Sequence, residues 1–261
     1  MKLFFRKLGE GKPLFILHGL FGLSDNWASV GKILCEHFEV YLIDLRNHGS
    51  SPHSDEWTYS AMANDVHELT QQLNNPITLL GHSMGGKVAM QFASMYPEKL
   101  EKLIVVDMAP KDYPVKDRSL IDNLLAMDLE KIKSRKKADE NISSFVKESS
   151  TKQLLSKNLY WNEEQKLTWR FNLKDISKNV STIGKTFSVK NALLNDGVGQ
   201  GIQVPALFIK GEKSNYILDL DIPAIKKIFP NSEFKTIEGA GHWVHADKPK
   251  EFAETVMEYL D

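Results

Sequence analysis

The sequence predicts an α/β protein: a mostly parallel central sheet flanked by helices, with a helical segment inserted into it. Three observations carry that prediction. Through the first 110 residues, short apolar runs alternate with helix-type patterns, the signature of a parallel sheet covered by its crossover helices. The run Gly81-His82-Ser83-Met84-Gly85-Gly86 stands between a β-type stretch and a helix-type stretch, a glycine-flanked serine at a tight strand-to-helix turn. Strand signals then vanish between about residues 113 and 195 and resume afterwards.

Taken in order, Leu14 to Leu17 reads as a buried strand ending at His18-Gly19, and Asn26 to His37 as a helix that Ser24 or Asp25 can cap. Phe38 to Leu45 reads as a strand ending at Arg46-Asn47-His48-Gly49, and Thr58 to Leu73 as a helix. Ile77 to Leu80 is the strand before the serine, Met84 to Met95 the helix behind it, and Leu103 to Val106 the next strand, ending at Asp107. In the 113–195 segment the expected helices are Ser119 to Leu129, Ala138 to Glu148 and Glu163 to Leu173. The alternation returns with a strand and turn over Pro205 to Gly211, a helix over Leu220 to Phe229, a strand over Glu233 to Ile237 and a closing helix over Pro249 to Leu260. The expected organisation is a core of residues 1–112 and 196–261 with 113–195 as an inserted helical cap. Ligands bind outside the carboxyl ends of the strands in such sheets.

Composition narrows the function classes. With 261 residues, 26% charged and 42% hydrophobic, the chain is ordinary for one globular α/β unit. Its net charge of −1 gives no reason to expect nucleic acid as a partner. One cysteine, Cys35, excludes an internal disulfide and suits a reducing compartment; its apolar surroundings predict a buried structural thiol. The N-terminus has too few apolar residues for a signal peptide, and no run reaches membrane-spanning length, so the expected location is the cytoplasm. Residues 111–200 hold 17 Lys and Arg against 12 Asp and Glu, an excess of +5, while the remainder carries −6. That is either a solvated helical face or a basic cap that draws in an anionic substrate.

The chemistry centres on Ser83. By itself G-x-S-x-G would arise by chance in roughly one chain in ten of this length; the strand before it and the helix after it give it weight. A serine hydroxyl needs a base within hydrogen-bond reach. His242, in Glu238-Gly239-Ala240-Gly241-His242-Trp243, follows the last strand in a loop whose glycines let it swing over the sheet edge; His245 is the local competitor. His242, His245 and Asp247 form a poor zinc set without a matching distal ligand. His82 is expected to pack locally, and His18, His37, His48, His53 and His67 to fill loop or surface roles.

His18-Gly19, Asp44-Leu45-Arg46-Asn47-His48-Gly49-Ser50-Ser51, the turn at Ser83 and Gly241-His242 together resemble the α/β-hydrolase superfamily over nearly the whole chain. The resemblance implies the chain order nucleophile, acid, histidine. It also marks a departure: the acid usually follows the strand corresponding to Ala206 to Ile209, where this chain has Gly211-Glu212-Lys213-Ser214-Asn215-Tyr216. Asp107, just past the preceding strand, is the available substitute, since a carboxylate ending four aliphatic residues is costly to bury unless hydrogen-bonded. The bland alternative is a structural aspartate before Pro110. Asp44 is expected to brace its loop through Arg46. An acid at Asp107, with His18-Gly19-Leu20-Phe21-Gly22 and Asp44-Leu45-Arg46-Asn47-His48-Gly49, is similar to the YbfF-type esterases and the abhydrolase-domain-11 proteins.

That resemblance implies hydrolysis of a small-molecule acyl ester or thioester, acyl-CoA among them, through an acyl-enzyme, with no metal or organic cofactor. Ser83 would be nucleophile, His242 base and Asp107 its orienting acid. The backbone N–H of Met84 and one from the 18–21 loop, Leu20 favoured over Phe21, would form the oxyanion hole. Carbon–carbon hydrolases, lyases, cofactor-free peroxidases and a non-catalytic binding protein of the same fold remain alternatives. Haloalkane dehalogenation is disfavoured, because it places aspartate where Ser83 stands. Phe21, Trp27, Met108, Tyr113, Trp161, Trp169 and Trp243 are candidate pocket walls or core residues.

Overall fold

The computed structural model describes residues 1–114, 118–187 and 201–261. Seven strands form one sheet: β1 (Phe5–Leu8), β2 (Lys12–Leu17), β3 (Phe38–Ile43), β4 (Ile77–His82), β5 (Leu100–Val106), β8 (Ala206–Gly211) and β9 (Ser232–Ile237). Their spatial order is β1-β3-β2-β4-β5-β8-β9, parallel throughout except for β1, which pairs antiparallel with β3. The sequence reading did not expect β1: its four residues, FRKL, lie at a sheet edge and are mostly exposed, so they carry no apolar run.

The inner strands read as apolar runs because both faces are covered, unlike the edge strands β1 and β9. Along β2, Leu14 and Ile16 point to one core and Phe15 and Leu17 to the other. On the first face lie α1 (Ala28–Leu34) and α10 (Pro249–Leu260), through Val30, Leu34, Phe252 and Val256. On the second lie α2 (Tyr59–Thr70) and α3 (Met84–Met95), through Met62, Val66, Val88 and Phe92. Thr58 caps α2 by accepting the Ala61 N–H, and Pro223 falls in the first turn of α8 (Ile222–Ile228), where its missing N–H costs nothing. The helix expected over 26–37 instead begins with a 3-10 turn, Ser24–Trp27, before α1.

Between β5 and β8 lie α4 (Arg118–Ala126), α5 (Arg135–Phe145), α6 (Ser149–Asn158), α7 (Leu173–Gly184) and a hairpin of β6 (Leu159–Trp161) and β7 (Leu167–Trp169). The hairpin corrects the expected helix over Glu163 to Leu173. The aromatic and β-branched residues of β6 and β7 pair across a turn in which Gln165 adopts φ 59°. Helices α6 and α7 were not expected either. The cap boundary at 195 lies outside the described residues. No helix among the described residues is long and apolar enough to cross a membrane.

Cys35 also departs from expectation: it is half-buried at the end of α1, its thiol directed at Lys32 O at 3.3 Å. The last turn of this short helix rolls it out of the core that Leu34 occupies.

Candidate active site

β2 leads into β3 on one side and β4 into β5 on the other, so the crevice at their carboxyl ends is the topological switch point. Ser83 sits there. It adopts φ 53°, ψ −118°, a conformation costly for a residue with a Cβ. The turn is held by Ser83 N–H donating to Val106 O at 3.0 Å and Ser83 O accepting from Gly86 and Lys87 N–H at 2.9 and 3.2 Å. Only glycine fits beside it. A Cβ on Gly81 would lie 2.1 Å from Gly85 O, and one on Gly85 2.5 Å from His18 O. The hydroxyl therefore projects at the N-terminus of α3, where the first N–H groups have no intrahelical partner.

Asp107 follows β5 with φ 49°, while its N–H still bonds Ile209 O at 2.7 Å. That twist turns a fully buried carboxylate toward the loop after β9. Its Oδ2 accepts from His242 Nδ1 at 2.7 Å and from Ser214 Oγ, and its Oδ1 from Gly211 N–H at 3.4 Å. With Nδ1–H donated to the carboxylate, Nε2 of His242 is the unprotonated nitrogen, an assignment made from its partners. Tyr216 stacks on the imidazole with centroids 3.9 Å apart and planes 18° apart. The ring is thus held at its edge and on one face.

The other histidines are struts. His82 Nε2 donates to His242 O at 2.9 Å, and burial holds its imidazole well below the ordinary histidine range. His245 is buried and stacked on Trp27 at 3.8 Å; burial lowers it to about 3, so it faces the core rather than the serine. His245, Asp247 and His242 point to separate partners, since Asp247 accepts the Gly241 N–H at 2.8 Å. Ser83 and His242 line one cavity of about 210 Å³ with Gly19, Leu20 and Trp243. They make no direct hydrogen bond with each other, a contact that such pairs commonly form only in the Michaelis complex.

The 18–21 loop is bracketed by two histidines that the sequence reading left as bland. His18 donates Nδ1–H to Gly19 O at 2.8 Å and accepts Leu45 N–H on Nε2 at 3.0 Å. His48 donates Nδ1–H to Arg46 O at 3.0 Å and accepts Phe21 N–H on Nε2 at 3.2 Å. Burial lowers them to about 4 and about 3, keeping both neutral so that each donates once and accepts once. Because Phe21 N–H is spent on His48, Leu20 is the residue with an N–H to offer; Leu20, Ser83 and Met84 line a second cavity together.

A sequence model of the alpha/beta hydrolase fold matches residues 12–249. The chain is 36% identical over 263 residues to the sn-1-specific diacylglycerol lipase ABHD11 of Danio rerio, an alignment covering 97% of this chain and 79% of that one. This chain belongs to the α/β-hydrolase family. It is also 31% identical to Esterase YbfF of Escherichia coli, over 97% of this chain and 94% of that one. A solved structure described as a marine microorganism esterase is 42% identical, with a TM-score of 0.92 and 99% coverage of both chains.

Within this α/β-hydrolase frame, one expected brace is corrected. Arg46 pairs with Asp65, Nε to Oδ2 at 2.6 Å and Nη2 to Oδ1 at 2.9 Å, not with Asp44. Asp44 instead accepts Ser24 N–H at 2.6 Å, from the 3-10 turn before α1, and Ser50 N–H at 2.8 Å, which the tight turn at Gly49 brings to it. Asn47, with φ 65°, satisfies its own turn by donating to Ser54 O and accepting Ser54 N–H, both at 2.8 Å. Of the candidate walls, Met108 and Tyr113 line the cavity with Leu20 and Met84, and Phe21 and Trp243 the one with His242. Trp27 is core, Trp169 stacks on Phe171 inside the cap, and Trp161 borders a separate surface cavity.

Proposed function

We propose that this α/β-hydrolase cleaves carboxylic esters, with acyl thioesters as a second substrate class, through an acyl-enzyme on Ser83. The observation that carries the reading is the single crevice onto which Ser83, Leu20 and His242 all open, with Asp107 holding the imidazole from behind. His242 Nε2 takes the Ser83 proton as Oγ attacks the acyl carbonyl, and Asp107 stabilises the resulting imidazolium. The tetrahedral oxyanion is met by the N–H groups of Met84 and Leu20, each worth on the order of 100- to 1000-fold in rate. His242 then returns the proton to the leaving alcohol or thiol, and water, deprotonated by the same nitrogen, releases the acid. No step in this sequence calls for a cofactor.

The leaving group must lie where His242 can protonate it. On that side the crevice runs into a cavity of about 510 Å³ lined by Lys111, Asp112, Lys213, Asn215 and His242, with Lys111 paired to Asp221. The described helices α4 to α7 form the inserted cap, and the positive balance of the sequence over residues 111–200 suits an anionic leaving group such as that of an acyl-CoA. Similarity to an sn-1-specific diacylglycerol lipase and to two esterases supports the ester class.

The test is labelling by a fluorophosphonate together with rates on p-nitrophenyl esters and acyl-CoAs. Ser83 should be labelled, Ser83→Ala should lose both label and turnover, and KM for the CoA ester should rise with salt while that for a neutral ester does not. A folded protein that neither labels nor turns over would overturn the reading in favour of a binding protein. Equal salt responses would remove the anionic leaving group alone.

A further inference from the structure

We infer that Lys87 determines acyl length: it clasps the C-terminal carbonyls of α7 and so fixes the wall that stops the acyl group beside Ser83. This deepens the ester-hydrolase reading and rests on it. Lys87 lies one turn into the helix behind the nucleophile and is 1% exposed, rare for a lysine. Its Nζ donates to Gly184 O at 3.1 Å and Lys185 O at 2.5 Å. These are carbonyls that the end of α7 leaves without intrahelical partners, and a helix C-terminus favours a cation.

Neighbours complete the clasp. Tyr59 OH donates to Ile183 O at 2.6 Å, and Tyr113 N–H donates to Gly184 O at 2.8 Å. The ammonium sits 4.9 Å from the Tyr113 ring centroid and 5.7 Å from that of Tyr59, within cation–π range. Three successive carbonyls of the cap, 183 to 185, are therefore held by core side chains and by the backbone of Tyr113 where the cap begins. Burial lowers Lys87 to about 8, so the clasp is cationic at neutral pH.

What the clasp closes is the cavity of about 70 Å³ lined by Ser83, Met84, Met108, Val180, Ile183 and Gly184. This cavity touches Ser83 and its two oxyanion donors but not His242, so it receives the acyl group rather than the leaving group. A cavity of about 150 Å³ holds benzene, so half that volume takes a chain of about two to four carbons. Lys87 itself lines this cavity, and its ammonium keeps a third N–H beyond the two given to carbonyls, so binding a carboxylate at the far end of the acyl group is the competing role, told apart by an anionic acyl substrate.

Lys87→Met keeps the chain length and removes every donor. We would measure kcat/KM on p-nitrophenyl acetate, butyrate and octanoate, and amide hydrogen exchange over residues 173–185. The octanoate-to-acetate ratio should rise at least tenfold, and exchange near 183–185 should speed up tenfold or more. Tyr59→Phe, which removes one bond of the clasp, should shift both in the same direction by less, and it serves if Lys87→Met does not fold. Unchanged ratios or unchanged exchange in an active enzyme would overturn the inference alone. So would a wild-type preference for p-nitrophenyl hemisuccinate over butyrate that Lys87→Met abolishes, since Lys87 would then bind an anion. A wild-type protein inert toward every ester in the panel would overturn the ester-hydrolase reading and this inference with it.

Discussion

Asp107→Asn is the sharpest test of the relay, because the structure dictates how the substitution fails. The carboxylate is fully buried and meets only donors: His242 Nδ1–H at 2.7 Å, Ser214 O–H and Gly211 N–H. An amide nitrogen at the Oδ2 position would face the Nδ1–H head on. The imidazole escapes that clash by moving its proton to Nε2, which leaves no base facing Ser83. A carboxylate-to-amide change of this kind costs about 10⁴ in kcat, or about 5 kcal/mol of transition-state stabilisation. Because Ser214 Oγ shares Oδ2 with the imidazole, residue 214 lies where a second carboxylate could take over. Asp107→Asn/Ser214→Asp should recover at least tenfold over the single variant. Ser214→Asp alone should lose activity, since two buried carboxylates repel and one takes up a proton. The assay is kcat on p-nitrophenyl acetate, normalised to fluorophosphonate-titrated sites, with thermal melts to confirm folding. Asp107→Asn retaining more than about a tenth of kcat would refute the assignment.

Gly85→Ala places a Cβ 2.5 Å from His18 O and 2.6 Å from Leu17 O, both backbone atoms that cannot give way; we expect a loss of about 3 kcal/mol in urea unfolding. His48→Phe leaves Phe21 N–H buried without its acceptor, which should cost about 1–3 kcal/mol and lower kcat, whereas His48→Gln should keep more of both. Acid should unfold the protein through His18, His48 and His245, whose folded values of about 4, 3 and 3 lie below the ordinary 6.5. The unfolded chain then binds protons first, so stability is full above about 6.5 and falls as pH drops toward those folded values. At about 1.4 kcal/mol per pH unit for each group, these three should lose roughly 4 kcal/mol by pH 5.5, with His82, which burial also holds well below the ordinary range, adding to the loss, and a urea midpoint flat from pH 7 to 5.5 would refute it.

The inner strands of the parallel core were legible because they are buried on both faces and read as apolar runs; β9, SEFKTI at the far edge, shows instead a weaker pattern with Glu233, Lys235 and Thr236 exposed. β1 was not legible, since an edge strand of FRKL carries no such run. The hairpin of β6 and β7 was hidden for a different reason: three-residue strands are too short for any period to declare itself. At the site, the expectations for Ser83 and Met84 come from the strand–glycine–helix junction and that for His242 from its glycine-rich loop, while Asp107 is what the α/β-hydrolase resemblance implies once residues 211–216 lack an acid at its usual place. Ser214, Tyr216 and Lys87 were not readable as site residues: their roles depend on partners more than 95 positions away in sequence for Lys87 and more than 100 for Ser214. His18 and His48 were readable as residues but not as brackets, because their function is to remain neutral, which only burial decides.

A further feature unites the parts that sequence patterns missed. Of the five non-glycine residues with positive φ among those described, four lie around the crevice: Phe21, Asn47, Ser83 and Asp107. Propensity argues against each of them, at about 1–2 kcal/mol apiece. Each is held by a specific bond: Phe21 N–H to His48, Asn47 to Ser54 in both directions, Ser83 N–H to Val106 O, and Asp107 N–H to Ile209 O. For Phe21, Ser83 and Asp107 the bond reaches a distant segment, so those strained conformations depend on the sheet and its loops being assembled, whereas Asn47 is held within its own loop. The consequence is that Ser83, Asp107 and the 18–21 loop, the groups proposed as nucleophile, acid and oxyanion loop, are set in place by folding rather than by substrate.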